Sequence, residues 1–315
     1  MQSELSAPHF HNEEAAFAYV EARLWPNGPV CPHCGTINRA GRLKGKSVRP
    51  GLWKCYACRK QFTVRMRSIF ESSHIPMHIW LQAIYMMASG KKGIATRQLH
   101  RTFGGSLRTA WFLGHRIREA MIELGFEDPG PLGGENMVVE ADETYVGGKA
   151  KNRKGKIPPK SVVLSLVERD GRVRSFHVPN VTAETLKPII VGNVEKATYL
   201  MTDESPVYPP IGAKFSGHGS VNHSAEEYVR GMFWHTNTVE NFFSIFKRGI
   251  YGCYFHVSEA HLHRYAAEFD FRHNYREARG FSDVARADSI LTGAKGKRLT
   301  YRTTRGREAA ETLPW

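Results

Sequence analysis

The stretch MVVEADETYVGG, residues 137–148, decides how the rest of the chain reads. Its apolar and β-branched residues predict a strand that ends in glycines. On a strand, Glu140 and Asp142 share one face and Glu143 points to the other. Working downstream, SVVLSLVERDGRVRSFHV (161–178) predicts two strands joined at Asp170-Gly171, a strong hairpin signal. TAETLKPIIVGNV (182–194) predicts a helix, and ATYLMTDES (197–205) a short strand ending in acids. Residues 206–224 read as irregular. In HTNTVENFFSIFKRG (235–249), Val239, Phe242, Phe243 and Phe246, continued by Ile250, form one apolar stripe at helical spacing. A further helix follows over 258–277. Strands with a hairpin, then helix, strand and helix, describe an α/β fold, a mixed sheet covered by helices.

Upstream, EDPGPLGGEN (127–136) has the composition of a linker, and residues 76–123 read as helical. Within them Gly104 and Gly105 break the pattern, and Ser106 can cap the next helix. Helix, glycine turn and helix match a helix-turn-helix, which would place Arg108, Thr109 and Arg116 near DNA. The other reading is an ordinary helical hairpin packed between domains. A short helix is expected over residues 10–24. After it come Cys31, Cys34, Cys55 and Cys58, two CxxC pairs separated by 20 residues. Each pair can present two thiolates from a tight turn, and four thiolates close a tetrahedral zinc site with no open position. Such a zinc is structural and replaces the core that a module of this size cannot build.

The chain has 315 residues and a formal net charge of +14, from 44 Lys and Arg against 30 acids. That excess suits a polyanion, either nucleic acid or an anionic membrane surface. No apolar run approaches the roughly 18 residues that a membrane span needs. The acidic first 24 residues do not resemble a signal peptide. A cytoplasmic protein is expected, with reduced cysteines, which favours metal over disulfides. Cys253, the odd one, reads as a buried thiol. Ten basic residues and no acid lie between Arg39 and Arg67, and six lie within 147–160, among them Lys149, Lys151, Arg153 and Lys154. Unbalanced runs of this kind favour contact with phosphates over a merely solvated face.

Asp142 ends one strand, Asp203 ends another, and Glu240 lies on the helix of residues 235–249. Strand ends and a neighbouring helix are places where acids from distant parts of a chain converge. Three carboxylates brought together would repel one another, and divalent cations relieve that conflict. Two such ions about 4 Å apart can serve both the attacking and the leaving oxygen of a phosphodiester. Glu240, Ser244 and Lys247 fall in one narrow sector of another face of the helix, away from its buried stripe. Other readings stay open: Glu240 as a cap with Asn237, Asp203 in a turn with Glu204 and Ser205, and Glu140 or Glu143 as ligands. His235 could orient DNA or a water, or be structural.

VEADETYVGG, MTDES and HTNTVENFFSIFKRGIYGCY, in this order and spacing, resemble the DDE transposases of bacterial insertion sequences. The TVENFFSIFKRG form, the upstream cysteine ribbon and WLQAIYMMASGKKGIATRQL resemble the ISXO-like group in particular. The resemblance spans residues 15–280. It implies a ribonuclease-H-like catalytic core that cuts and rejoins DNA at terminal inverted repeats. By the same resemblance Asp142, Asp203 and Glu240 match the acidic triad, holding two Mg²⁺ or Mn²⁺ ions. Lys247 matches the basic residue that follows the glutamate, with Arg248 beside it as a further DNA contact. The expected organisation is a helix and zinc ribbon over 1–70 and a helical DNA-binding region over 71–130. A catalytic domain follows over 131–290, then a basic tail over 291–315. Joining two DNA ends implies a homo-oligomer, at least a dimer, on terminal repeats and target DNA. The competing reading is a transposase-derived DNA-binding regulator with an inert core. A nuclease that cuts without joining would have the same acids.

Overall fold

A computed structural model describes residues 3–123, 130–147, 160–221 and 235–300. The chain opens with helix α1 (Glu13–Leu24), whose N-terminus is capped by Asn12 accepting from the Ala15 amide at 3.0 Å. A small antiparallel sheet follows, made of β1 (Ala40–Arg42), β2 (Trp53–Cys55) and β3 (Gln61–Phe62) in that order. Its core is little more than Cys31, Cys55 and Phe62, with Trp25 and Trp53 against them. So small a cluster cannot hold the ribbon by apolar burial alone.

Three helices come next: α2 (Met77–Ser89), α3 (Thr96–Phe103) and α4 (Leu107–Met121). Gly104 and Gly105 sit between α3 and α4 at φ +72° and +74°, which an L side chain resists. Ser106 caps α4 by accepting from the Thr109 amide at 3.1 Å. The helix, glycine turn and capped helix expected from the sequence are therefore present, an outline that a helix-turn-helix and an ordinary helical hairpin share.

The main sheet has strands β4 (Val138–Gly147), β5 (Lys160–Glu168), β6 (Val173–Val178), β7 (Tyr199–Asp203) and β8 (Gly217–Val221), in the order β6-β5-β4-β7-β8. β4, β5 and β6 are antiparallel neighbours, whereas β7 runs parallel to both β4 and β8. This three-strand meander followed by two parallel strands makes the core ribonuclease-H-like. Asp170, at φ +56°, turns the β5–β6 hairpin where the sequence placed it. Helices α5 (Ala183–Asn193) and α6 (Pro209–Gly212) cover one face, with Val139, Ala141, Leu164, Leu166, Leu186, Ile190 and Ile211 in its core. Helices α7 (Asn237–Gly249) and α8 (Glu259–Asn274) cover the other. Val239, Phe242, Phe243 and Phe246 of α7 are all buried there, as the stripe required.

Two departures from the sequence reading concern structure within and after this sheet. Residues 206–224, read as irregular, contain α6 and the edge strand β8. β8 is GHGSV, with no apolar alternation to announce it. Gly217 is needed there because a Cβ would come within 2.6 Å of the Tyr199 ring on β7. The second concerns α9 (Asp283–Thr292), a helix the sequence reading did not foresee, which falls within the expected catalytic domain of 131–290 and the first residues of the tail. Ala287, Ile290, Leu291 and Ala294 pack with α1, α2 and α4 in the N-terminal helical core. The chain thus returns to the helices it began with.

The two halves are locked by a buried charge cluster. Glu268 of α8 accepts from Arg118 of α4 at 2.7 Å and from the Tyr254 hydroxyl at 2.7 Å. It also pairs with Arg272 at 2.8 Å, and Arg272 in turn donates to the carbonyls of Met87 and Gly90 at the C-terminal end of α2. Two guanidiniums hold this carboxylate below its ordinary range against the cost of burial.

Candidate active site and metal centre

The acids converge where β7 leaves its partner. β4 and β7 are paired through Glu140↔Met201, and Asp203 ends β7 just beyond, level with Asp142. Carboxylate oxygens of Asp142, Glu143 and Asp203 all lie within 4.8 Å of one another, half-buried. Burial pushes the Asp142 carboxyl up to about 7; the Glu143 amide opposes this, and the charges of Glu143, Asp203 and Glu240 add to it. Glu143 is also raised by burial, although the Tyr208 hydroxyl donates to it at 2.6 Å. A buried group of mutually repelling carboxylates fits a divalent cation, which would take their oxygens directly.

Glu240 lies outside that close group. It is exposed in the first turn of α7, near enough to Asp142 to raise it electrostatically, and its Oε1 accepts from the Thr236 hydroxyl at 3.4 Å. Its reading as a cap loses ground: the first-turn amides of Thr238 and Val239 donate to Glu140 instead, at 2.8 and 2.9 Å. Asp203 does make the turn foreseen for it, accepting from the Ser205 amide at 3.1 Å, without leaving the cluster. Lys247 and Arg248 are exposed further along α7. Glu140, whose role the sequence left open, is fully buried and turned towards α7. Tyr208 was not anticipated at all. A lone tyrosine in the proline-rich stretch 206–210 gives no signal, and only the fold brings it to Glu143.

The second centre is the cysteine cluster. Cys31 Sγ lies 3.7 Å from Cys58 Sγ, and Cys34 Sγ lies 3.7 Å from Cys55 Sγ, with all four within 4.8 Å. A tetrahedron with metal–sulfur bonds of about 2.3 Å has edges of about 3.8 Å. The four sulfurs therefore fit one zinc. Hydrogen bonds from the Thr36 side chain and amide bring Cys34 down to about 6, favouring the thiolate a metal needs.

Residues 131–274, the segment carrying both aspartates and α7, match the ISXO2-like transposase domain. The chain carries an ISXO2-like transposase domain. Ahead of it, residues 11–61 match the transposase zinc-ribbon domain, so α1 belongs with the ribbon. Over 263 residues the chain is 25% identical to an uncharacterised protein in the transposable element ISH50 of Halobacterium salinarum, covering 76% of this chain and 83% of that one. A transposase domain behind a transposase zinc ribbon supports an insertion-sequence transposase and implies DNA as its partner.

The residues expected to touch DNA fall into three groups. Arg108 and Thr109 are exposed at the start of α4, together with Leu107. Arg116 is largely covered, although it lines the same cavity as Arg108 and Thr109. It is 5% exposed, with its guanidinium 4.6 Å from the Phe112 ring and its Nε donating to the Leu299 carbonyl at 3.2 Å. Two turns along α4 separate it from Arg108, and the helix buries its second half against α8 and α9. Lys149, Lys151, Arg153 and Lys154 lie outside the described residues, as does the tail beyond Thr300. In the ribbon, Arg39, Arg42, Lys44, Lys46, Arg49, Lys54, Arg59, Lys60 and Arg67 are exposed. Arg65 instead donates to the carbonyls of Ser73 and Ile75 inside the fold. No helix among the described residues is long and apolar enough to cross a membrane.

Proposed function

We propose that the chain is an active insertion-sequence transposase that cleaves DNA at the ends of its element and joins the freed 3′ ends to a target. The observation that carries this reading is the meeting of Asp142 and Asp203 on neighbouring parallel strands, within 4.8 Å and deep enough to raise Asp142. Asp142 and Asp203 are the ligands of divalent ions, Mg²⁺ or Mn²⁺, with Glu240 closing the site from α7. Ions held there supply a polarised attacking oxygen and a neutralised leaving oxygen. Glu143, which accepts from the Tyr208 hydroxyl, stands beside the two aspartates. Lys247, on the same side of α7 as Glu240, grips a phosphate as a point charge. The ribbon, the start of α4 and the basic segment 147–160 hold the DNA, and two or more copies bring the two element ends together.

The test is strand transfer of a labelled element end in Mg²⁺, with DNA affinity measured alongside. Asp142→Ala and Asp203→Ala should each lower the joining rate by at least about a thousandfold at nearly unchanged affinity, because the carboxylates act on the transition state. Joining at the wild-type rate by either variant would overturn the catalytic assignment. Binding without any joining by the wild-type chain, in Mg²⁺ and Mn²⁺ alike, would favour a DNA-binding regulator.

A further inference from the structure

We infer that Glu140 is the positioning residue that seats the Glu240 helix against the two aspartates, acting through α7 and touching neither metal nor DNA. The inference rests on the role given above to Glu240. The first amides of any helix lack partners within it. Among the described residues, the Thr236 side chain at the N-cap position accepts none of these amides. The acceptor comes from the sheet. Glu140 Oε2 takes the Thr238 and Val239 amides at 2.8 and 2.9 Å, and Oε1 takes the Thr238 hydroxyl at 2.9 Å.

A carboxylate at a helix N-terminus also meets the positive end of the helix dipole. A fully buried carboxylate needs more than that, because an unpaired charge would be costly. Arg169 supplies the balance, with its Nε donating to Glu140 Oε1 at 2.7 Å and its Nη2 donating to the His235 carbonyl at 2.8 Å. His235 Nδ1 lies 3.3 Å from the same oxygen. One side chain of the central strand thus holds both the first turn of α7 and, through Arg169, the residue leading into it.

The placement matters because Glu140 and Asp142 are two residues apart on one face of β4. The backbone at Glu140 is fixed on both sides, paired with Val167 of β5 and Met201 of β7. The strand that presents Asp142 therefore also sets the origin of the helix that presents Glu240. A shift of α7 by even a fraction of a turn would carry Glu240 away while leaving the aspartates in place.

The experiment uses the full zinc-loaded chain, with Mn²⁺ alone as the probe. Mn²⁺ affinity is titrated for wild type, Glu240→Ala, Glu140→Gln and the double variant, and amide exchange is followed over 236–242. Glu240→Ala should weaken Mn²⁺ by at least about tenfold, and Glu140→Gln by about tenfold, the order seen when an outer partner of a ligand is lost. The double variant should be no weaker than Glu240→Ala, and the Thr238 and Val239 amides should exchange at least about tenfold faster in Glu140→Gln. Thr238→Val, which removes only the hydroxyl contact, should shift both readouts in the same direction by less, and it carries the test if Glu140→Gln does not fold. A further loss of Mn²⁺ affinity from Glu140→Gln in the Glu240→Ala background, or unchanged first-turn exchange, would overturn the inference. Glu240→Ala binding Mn²⁺ and cleaving DNA like wild type would instead overturn the role of Glu240. Faster exchange in Glu140→Gln would then reveal a seated helix that carries no ligand.

Discussion

The cysteine centre and the acidic centre solve opposite problems. The ribbon closes four sulfurs around a point, and every ligand comes from a turn or strand end within 28 residues. Its geometry is almost independent of the rest of the molecule, and the metal stands in for a core made of three buried residues. The acidic centre draws Asp142, Glu143 and Asp203 from about sixty residues of sequence, about a hundred with the proposed Glu240, and none of these is close to another except Asp142 and Glu143. It exists only because β4, β7 and α7 are held in register by two apolar cores and by Glu140. Removing metal should therefore unfold the first centre and leave the second standing.

The largest effect expected from that contrast is on the ribbon. Chelation of zinc should melt the segment to about residue 65, since metal binding of about 10–16 kcal/mol is folding energy in such modules. Circular dichroism and amide exchange on chelated protein would show it, with α5, α7 and α8 still protected. Intact ribbon protection after verified zinc loss would break the comparison. EDTA-free dialysis that strips only weakly held divalent ions should change neither region.

Next in size is the buried cluster that joins the halves. Glu268→Ala leaves Arg118 and Arg272 facing each other without the acid between them. The cost should be about 3–5 kcal/mol, as for other broken buried pairs. Urea unfolding would read it as a lowered midpoint. Glu268→Gln, which keeps the hydrogen-bonding shape, should recover only part. A loss confined to the N-terminal helices, with α8 unaffected, would show that the halves are stable separately.

Much of this was legible beforehand, for reasons that differ by residue. The cysteines were legible because spacing alone carries the chemistry. β4, the hairpin at Asp170-Gly171 and the buried face of α7 were legible because alternation and helical period are local properties. β8 was not, because a glycine-rich edge strand is specified by its partner, here by the space left beside Tyr199. Glu140 could be placed on the Asp142 face but not assigned, because its partners lie 98 and 99 residues away on α7. Arg116 could not be told from Arg108 for a similar reason: three basic or polar residues on one helix look equivalent until the packing of its second half separates them.

A smaller effect concerns protons at the acidic centre. The Asp142 carboxyl is held at about 7 in the metal-free chain, above the ordinary aspartate range. Between about pH 4 and 7 the folded protein keeps a proton that the unfolded chain has lost, so metal-free stability falls as pH rises through that window. A divalent ion has to displace this proton, so Mn²⁺ affinity should rise by up to about tenfold per pH unit below 7 and level off above it. Titrations at several pH values between 5.5 and 8.5 would show the slope, and Asp142→Asn should remove it. A flat wild-type profile would mean that the carboxyl is already ionised. The ribbon, whose four sulfurs are already closed around their metal, should show no matching step in this range.

The smallest effect separates the two arginines of α4 that the sequence put side by side. Arg108 is exposed at the start of the helix, where a helix-turn-helix meets DNA, and Arg116 is buried against Phe112 and the Leu299 carbonyl. Arg108→Ala should weaken binding to an element end by about fivefold and lower the salt slope by about one, as expected for one lost phosphate contact. Arg116→Ala should leave the salt slope unchanged, because a cation already paired inside the protein releases no counterion from DNA. Its cost should appear instead in stability, by about 1–3 kcal/mol, since the Leu299 carbonyl loses its donor and the Phe112 ring its covering guanidinium. Binding measured across several salt concentrations, beside urea unfolding of each variant, distinguishes the two. Equal salt slopes for both variants would return Arg116 to the DNA surface. It would also mean that the contact with the Leu299 carbonyl gives way when DNA binds.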